Sequence, residues 1–584
     1  MSDRRFFLLI LLIYLALAVS YAVVEPLGEA PDETDHYAYI RHLGLNRSLP
    51  EGPSITQGKH PPLYHGLAAA MTAWTGLDFE FLCSNPDAFP PGPDAPPNFF
   101  IHTTLESFPW QGGALAMHLA RFLSIAFGAV TLWATWRTGA EAFPEQAEIG
   151  LLAAAFLAGL PAFLFISASI NNDNAAGAFG ALALLLCIRI NRRGASFGRS
   201  LWLGLVLGLG LLSKVGTLAL WPLVAMAMAG AFWPERDDGR AWLRMVGNTI
   251  LVWVIGVLVA APWLLRNWRL YGDPLGWDLV RATIDQRTGP VDFGVLLWLF
   301  RGIYEYFWGR FGAIGQIRMP AWFYVVAVAI TIALLAGAIR WLLKNRRGQN
   351  RFSILLLAFT PLLVLVGIIR YTAIAQGTDQ ARLLWPAIGV IAVWAGVGVA
   401  GLAQWSGLNE RIRARSLVAG FAAVMAIYGF FTLALVVRPA FAPPPPVIPA
   451  STPEQALATF GEQFELLAAE LPEQALAVGD PTPVQLLWRA NAPLTDDLRV
   501  VVRLVHQDGW LAAERDHSPA DGRYATDRWQ PGEAILDSYV LSPNPQSAGV
   551  FIVEVGVRPF RGDWLPVLDD GEAHYFAVGE VSYQ

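Results

Sequence analysis

The amino-acid sequence predicts a polytopic α-helical membrane protein that carries a C-terminal all-β sandwich domain on its extracytoplasmic side. Three observations lead there. Of 584 residues, 54% are hydrophobic and only 15% are charged, against about 25% charged in an average soluble protein. The hydrophobic residues gather in eleven runs between residues 6 and 437, most of them close to the ~20 residues that a helix needs to cross a bilayer. From residue 483 the pattern changes to an alternation of period two, as in half-buried strands. The same numbers exclude other classes. A net charge of -6 provides no basic field for nucleic acid. Two cysteines, one in an apolar run and one in a polar loop, build no disulfide framework. The 54 Gly and 40 Pro fall within and between apolar runs, marking breaks and turns instead of disorder.

Residues 6 to 24 form the first uncharged span behind Arg4 and Arg5. A basic start before an apolar stretch also describes a signal peptide. The many later spans favour an uncleaved first helix. Further runs cover roughly 114 to 136, 149 to 168, 175 to 190, 200 to 213, 216 to 233, 246 to 264, 320 to 341, 352 to 369, 383 to 402 and 416 to 437. Basic residues crowd alternate connections: Arg189, Arg192, Arg193 and Arg199; then Arg340, Lys344, Arg346, Arg347 and Arg351; then Arg411, Arg413 and Arg415. The positive-inside rule puts these and the N-terminus in the cytoplasm. The stretch 200 to 233 reads best as two short crossings broken at 213 to 217, because one long helix would invert everything after it. Segments 25 to 113 and 265 to 319, and all residues after 438, then lie outside the cytoplasmic membrane.

The domains expected are therefore 1 to 437, with 25 to 113 as a first extracytoplasmic loop, a Pro-rich spacer over 438 to 449, and a β-sandwich over 450 to 584. Within the last, 452 to 471 reads as a helix. Runs at 484 to 488, 498 to 507, 534 to 541, 549 to 558 and 573 to 583 read as strands, with Asp508-Gly509 as a hairpin turn. No repeat of 20 to 50 residues is present.

The first loop concentrates the polar chemistry, with five of nine histidines and the cluster Asp32, Glu33, Asp35. In PDETDHYAYI, Pro31 can open a helix that sets Asp32 and His36 one turn apart. Acidic residues at a helix start need no function. The functional reading is a carboxylate at the membrane surface serving as general base, with His36 or Glu33 assisting. In GKHPPLYHG, Lys59 and His60 are a loop-to-helix junction or a contact for an anion, and Asp32 with His60 is a candidate pair for a divalent ion such as Mg2+ or Mn2+. In NNDNAAG, Asn172 or Asp173 is most simply a helix N-cap, with sugar contact as the lesser reading. Lys214 interrupts an apolar run, so it either snorkels or faces a cavity. Arg266 and Arg382 sit at outer boundaries, where arginine clamps a phosphate or meets ordinary headgroups.

PDETDHYAYI, HPPLYHG, NNDNAA, LLSKVG, LLRNWRLYGDPLG and QARLLWP occur in that order over residues 1 to about 440. The ordered set resembles the glycosyltransferase-C superfamily, specifically family-39-like bacterial membrane enzymes related to protein O-mannosyltransferases and lipid A aminoarabinose transferases. The resemblance implies transfer of a sugar from a polyprenyl-phosphate carrier to an extracytoplasmic acceptor, usually with inversion. Asp32 matches the first-loop acidic residue of the family and would deprotonate the acceptor hydroxyl, with Glu33 in the same motif. His60 stands before Pro-Pro where aminoarabinose transferases carry a phosphate-binding lysine. Arg382 matches the arginine of a QGRY-type segment, here followed by Leu383, and would contact the lipid phosphate. The tail resembles carbohydrate-binding modules appended to such transferases. Two rival functions are a flippase for lipid-linked sugars and a non-catalytic membrane anchor displaying the tail. The sequence has no paired broken helices or internal two-fold pattern of the transporter kind, and tethering does not need eleven spans.

Overall fold

The structure is a computed structural model that describes residues 2–79, 81–90, 92, 95–345, 350–404, 410–444, 453, 455–544, 548–568 and 573–584, with the backbone alone for 410–413. Two compact units emerge. One comprises Met1–Glu25, Ala30–Leu77 and Leu115–Pro439, the other Pro26–Glu29, Asp78–Ala114 and Ala440–Gln584.

The first unit is helical. In chain order its helices are α1 (Asp3–Val24), α2 (Glu33–Asn46), α3 (Leu63–Thr72), α4 (Gly112–Ala142), α5 (Glu148–Gly159), α6 (Pro161–Ser167), α7 (Asp173–Arg193), α8 (Phe197–Leu211), α9 (Pro222–Phe232), α10 (Gly239–Tyr271), α11 (Trp277–Ala282), α12 (Phe293–Gly309), α13 (Ala321–Asn345), α14 (Arg351–Thr372), α15 (Ile388–Ala403) and α16 (Glu410–Thr432). Among the described residues, nine helical segments are long and apolar enough to cross a membrane. The pair α5 and α6, bent by 65°, makes a tenth, and the short apolar α8 stands beside them. The chain is a polytopic helical membrane protein.

Local chemistry explains the breaks. Pro161 opens α6, where its missing N–H costs nothing, and bends the chain away from α5. After α8 the helix stops at 212–214 and restarts as a tight turn over Val215–Leu220 before α9, so 200 to 233 does form two segments. Apolar side chains on α13 such as Trp322, Val325, Leu335 and Leu343 remain 59–72% exposed, as lipid-facing residues do. On its other face, Gly337 meets Gly398 and Gly401 of α15 so closely that a Cβ on Gly401 would lie 1.9 Å from the Gly337 carbonyl oxygen. Small residues let these two backbones touch. Of the basic connections, Arg346 and Arg347 and the side chains of Arg411 and Arg413 lie outside the described residues.

The second unit is built on two four-stranded antiparallel sheets. One runs Ala534–Leu541, Thr482–Ala490, Phe464–Glu470, Ala458–Phe460, and the other Tyr575–Tyr583, Gly549–Pro559, Leu498–His506, Leu511–His517. Inward residues of both fill one core, in which the Phe464 ring stacks on Trp488 at 4.7 Å. Gly509 takes φ +89 in the expected Asp508-Gly509 hairpin turn. The helix expected over 452 to 471 is absent among its described residues: Ala458–Phe460 and Phe464–Glu470 are paired strands, joined by a turn at Gly461 with φ +60. The segment is rich in helix formers, but burying Phe460, Phe464 and Leu466 against Trp488 outweighs that weak propensity. Residues 452 and 454, like 445–449 of the expected Pro-rich spacer, lie outside the described residues, and 438–440 continue the preceding helix.

The same unit contains part of what the sequence reading assigns to the first loop. A two-stranded ribbon, Cys83–Ser84 with Phe100–Ile101, belongs to it. The Asn85 and Asn98 amides donate to the carbonyls of Asp521 and Gly522 at 2.9 and 2.8 Å. Asp87 pairs with Arg515 at 2.6 Å and with the buried His517 at 2.9 Å.

Candidate active site

Asp32 is set by the turn that precedes α2. Pro31 does not open that helix as expected: the helix starts at Glu33, and Asp32 stands before it in the left-handed region at φ 60, ψ 13. Aspartate tolerates this conformation better than most residues. The Asp32 carbonyl accepts from the His36 backbone N–H at 2.9 Å, so the two are one turn apart as predicted. Glu33 fixes the turn from below. Its carboxylate is fully buried and accepts from Arg121 Nε and Nη2 at 2.8 and 2.6 Å, and from the Ile170 backbone N–H at 2.9 Å. Arg121 also donates to the carbonyls of Ala22 and Glu25. Glu33 is thus tied to Arg121 and the Ile170 backbone behind Asp32. Arg121 was the signal missed, a lone arginine inside the apolar run of α4.

In front of the turn, Asp32 meets Arg382. The guanidinium donates through Nη2 to Asp32 Oδ2 at 2.6 Å, through Nη1 to Asp173 Oδ2 at 3.3 Å and through Nε to Gln380 Oε1 at 2.6 Å. Lys214 Nζ donates to the other Asp173 oxygen at 2.5 Å. Four of the residues singled out in the sequence thus form one alternating chain of charges: Asp32, Arg382, Asp173, Lys214. The Asp173 side chain is fully buried, whereas that of Asp32 is 43% exposed. Burial opposes the charge on Asp32, and the Arg382 guanidinium outweighs it, holding the carboxyl below its ordinary value. Glycine makes this arrangement possible. At Gly180 of α7 a Cβ would lie 2.3 Å from the Pro386 carbonyl oxygen, so only glycine lets the turn carrying Arg382 lie against the helix that begins at Asp173. The N-cap position of α7 is Asn172, but its side chain makes no capping bond. Asn171 Oδ1 accepts from the Asp173 N–H instead, at 2.9 Å, and Asn172 Nδ2 reaches the Ser213 carbonyl.

Other expected residues divide. Lys59 Nζ donates to the Thr283 carbonyl at 3.0 Å and contributes positive potential at Asp32. Burial draws its ammonium pKa down, against the carboxylates of Asp32 and Asp35. His36 is buried, with Nδ1 2.8 Å from His65 Nε2, and the His60 ring lies 6.1 Å from the His36 ring. Burial pushes His36 and His60 well below the usual imidazole value, and Lys214 and Lys59 push His60 further. This favours the neutral imidazole at His60, unlike the charged lysine that aminoarabinose transferases carry at that place. Arg266 Nη2 donates to the Pro50 carbonyl at 2.7 Å. Among the described residues, no group of three or more His, Cys, Asp or Glu is placed to hold a metal ion. Asp32 is bonded to the Arg382 guanidinium, and His60 lies in the field of Lys214 and Lys59.

Beside Arg382 lies a small hollow of about 20 Å³. Its lining includes the rings of Phe165, Trp385, Tyr306 and Phe311 and the polar side chains of Arg310, Gln380 and Arg382. Arg310 stacks on Tyr306, 4.6 Å from the ring centre, and its Nε donates to the Gly315 carbonyl. Neither Arg310 nor Tyr306 was singled out in the sequence, because the segment 265 to 319 offers no motif around them. The site so assembled combines an accessible carboxylate, a guanidinium directly beside it and an adjoining aromatic cavity. Such a set can accept a proton, hold a phosphate and cover an apolar chain.

Residues 113–265 match the family model described as dolichyl-phosphate-mannose-protein mannosyltransferase. This match supports the resemblance to the glycosyltransferase-C superfamily. Among solved structures, the chain is similar to ArnT from Cupriavidus metallidurans bound to undecaprenyl phosphate, at 14% identity and TM-score 0.45, covering 75% of this chain and 78% of that one. It is also similar to the Archaeoglobus fulgidus oligosaccharyltransferase in complex with Zn and sulfate, at 14% identity and TM-score 0.38, over 73% of this chain and 52% of that one. A search of curated proteins by sequence gives no match.

Proposed function

We propose that the chain is a membrane glycosyltransferase that moves a sugar from a polyprenyl-phosphate carrier to a hydroxyl of an extracytoplasmic glycan, lipid or protein. The observation that carries this reading is the contact of the exposed Asp32 carboxylate with Arg382 at the edge of an aromatic cavity. The family-model match to residues 113–265 supports the reaction class. The basic connections between helices support an orientation with the N-terminus in the cytoplasm and the Asp32 side of the membrane outside.

In this reaction Asp32 accepts the proton of the acceptor hydroxyl while its oxygen attacks the anomeric carbon. The bond from that carbon to the phosphate oxygen breaks, and the electron pair leaves with the polyprenyl phosphate. Attack opposite the leaving group inverts the anomeric configuration. Arg382 holds the charge that develops on the phosphate, in a site where donors are already in place. A hydroxyl does not ionise near neutral pH, so a base within hydrogen-bond reach is required. Lys214 and Asp173 keep Arg382 oriented from the buried side. The cavity wall of Phe165 and Trp385 covers the first isoprene units.

The test is sugar transfer by the purified full-length chain from a polyprenyl-phosphate sugar, with wild type and Asp32→Asn compared. Loss of transfer by the variant, with retained binding of the donor lipid, is expected. Unchanged turnover in Asp32→Asn would remove Asp32 as the base. Movement of the lipid-linked sugar across a vesicle membrane without transfer would favour the flippase instead.

A further inference from the structure

We infer that Asp32 occupies the place of the donor phosphate, and that binding of the donor frees it to act as a base. The inference rests on the function proposed above. A guanidinium clamps a phosphate with two parallel N–H groups, and both of its forks, Nε with Nη2 and Nη1 with Nη2, use Nη2. That nitrogen donates to Asp32 at 2.6 Å. Nε donates to Gln380 and Nη1 to Asp173, so every nitrogen of Arg382 already has an acceptor.

Three of the five N–H groups of Arg382 are taken, and each fork has both of its nitrogens engaged, so a phosphate gripped by either fork competes with the acceptors already there. Asp173 is the hardest to move: its side chain is fully buried, and its second oxygen is held by Lys214 at 2.5 Å. Of the two carboxylates Asp32 is the more accessible, being 43% exposed and bonded through a single oxygen, and it sits on Nη2, the nitrogen that both forks share. A carboxylate bonded to a guanidinium is also a weaker base than one that is not. Capture of Arg382 by phosphate thus has two effects at once. It fixes the leaving group, and it releases Asp32 toward the acceptor with its basicity restored. Donor binding precedes acceptor activation, and an acceptor hydroxyl without donor meets a carboxylate that is already engaged. The occupant is a lipid-linked phosphate, because the cavity beside Arg382 is walled by Phe165, Trp385 and Phe311.

The experiment measures binding of undecaprenyl phosphate to the full-length chain in detergent micelles, for wild type, Asp32→Asn and Asp32→Ala. Removing the internal competitor should tighten binding about tenfold in both variants, although neither transfers sugar. If both bind no tighter than wild type, Asp32 does not compete for the phosphate and the inference fails while the donor reading stands. If wild type does not bind the lipid at all, the donor reading fails and takes the inference with it. Inorganic phosphate at equal concentration should leave lipid binding unchanged. Displacement of the lipid by inorganic phosphate would mean that the site takes free phosphate, and would overturn the inference.

Discussion

Replacing Glu33 by Gln or Arg121 by Met should cost far more stability than either change would at a surface, and the two together should cost less than their sum. Both side chains are fully buried. Arg121 donates twice to the Glu33 carboxylate and once each to the carbonyls of Ala22 and Glu25. Removing one partner of a buried ion pair leaves an uncompensated charge and destabilises by about 3–5 kcal/mol. Glu33→Gln also weakens the acceptor of the Ile170 N–H, worth ~1 kcal/mol of the total. The double variant Glu33→Gln, Arg121→Met removes both charges of the pair together, so a coupling of about 2 kcal/mol or more in favour of the pair is expected from the cycle. The assay is equilibrium unfolding of the full chain in mixed micelles, with m-values compared to verify a common transition. Additive single effects of less than ~1 kcal/mol each would refute the stabilising role of the pair.

Two further outcomes follow. Burial alone would lower His517, but its hydrogen bonds and attraction to Asp537 and Asp87 outweigh this and raise it to about 10. A raised imidazole stabilises fully below its unfolded value near 6.5 and loses that contribution as pH rises toward 10, at a slope of at most ~1.4 kcal/mol per pH unit. Thermal melting of the full chain from pH 6.5 to 9.5 should therefore fall for the transition of the β unit and fall less in His517→Gln; equal slopes would contradict the ion cluster. In the helical unit, Gly401→Val should destabilise by several kcal/mol or prevent folding, since a side chain would overlap the Gly337 backbone. Melting temperature in detergent decides this, and a shift of less than a degree would show that α13 and α15 can separate at no cost.

The sequence makes legible those features that depend on local pattern. Long apolar runs produce helices because a membrane leaves the backbone no other partner, and the break at 212–214 is visible as Ser213 and Lys214 within such runs. The β-strands after 483 follow from alternation. The segment 458–470 does not, because its Ala, Glu and Leu favour a helix in isolation and only contact with Trp488 makes it a strand. For the candidate site, the residue types were readable and their pairings were not. Asp32, Asp173, Lys214 and Arg382 each stand alone in the sequence, at separations of up to 350 residues, and only the fold shows that they neutralise one another. The same limit explains Arg266 and Glu33. Arg266 donates to the Pro50 carbonyl and Glu33 pairs with the buried Arg121, contacts that no local pattern announces. His60 shows a third case, in which burial and two neighbouring lysines lower the imidazole pKa, an effect of the fold that no local pattern shows.

One consequence concerns the order in which the protein is made. Asn85, Asp87 and Asn98 find their partners at 515–522, more than 400 residues later in synthesis. The segment 78–114 must therefore wait through translation of every membrane span before its own module can close. A truncated product ending before residue 500 would leave the Asp87 carboxylate and two asparagine amides without those partners, a natural mark by which quality control can tell unfinished chains from complete ones.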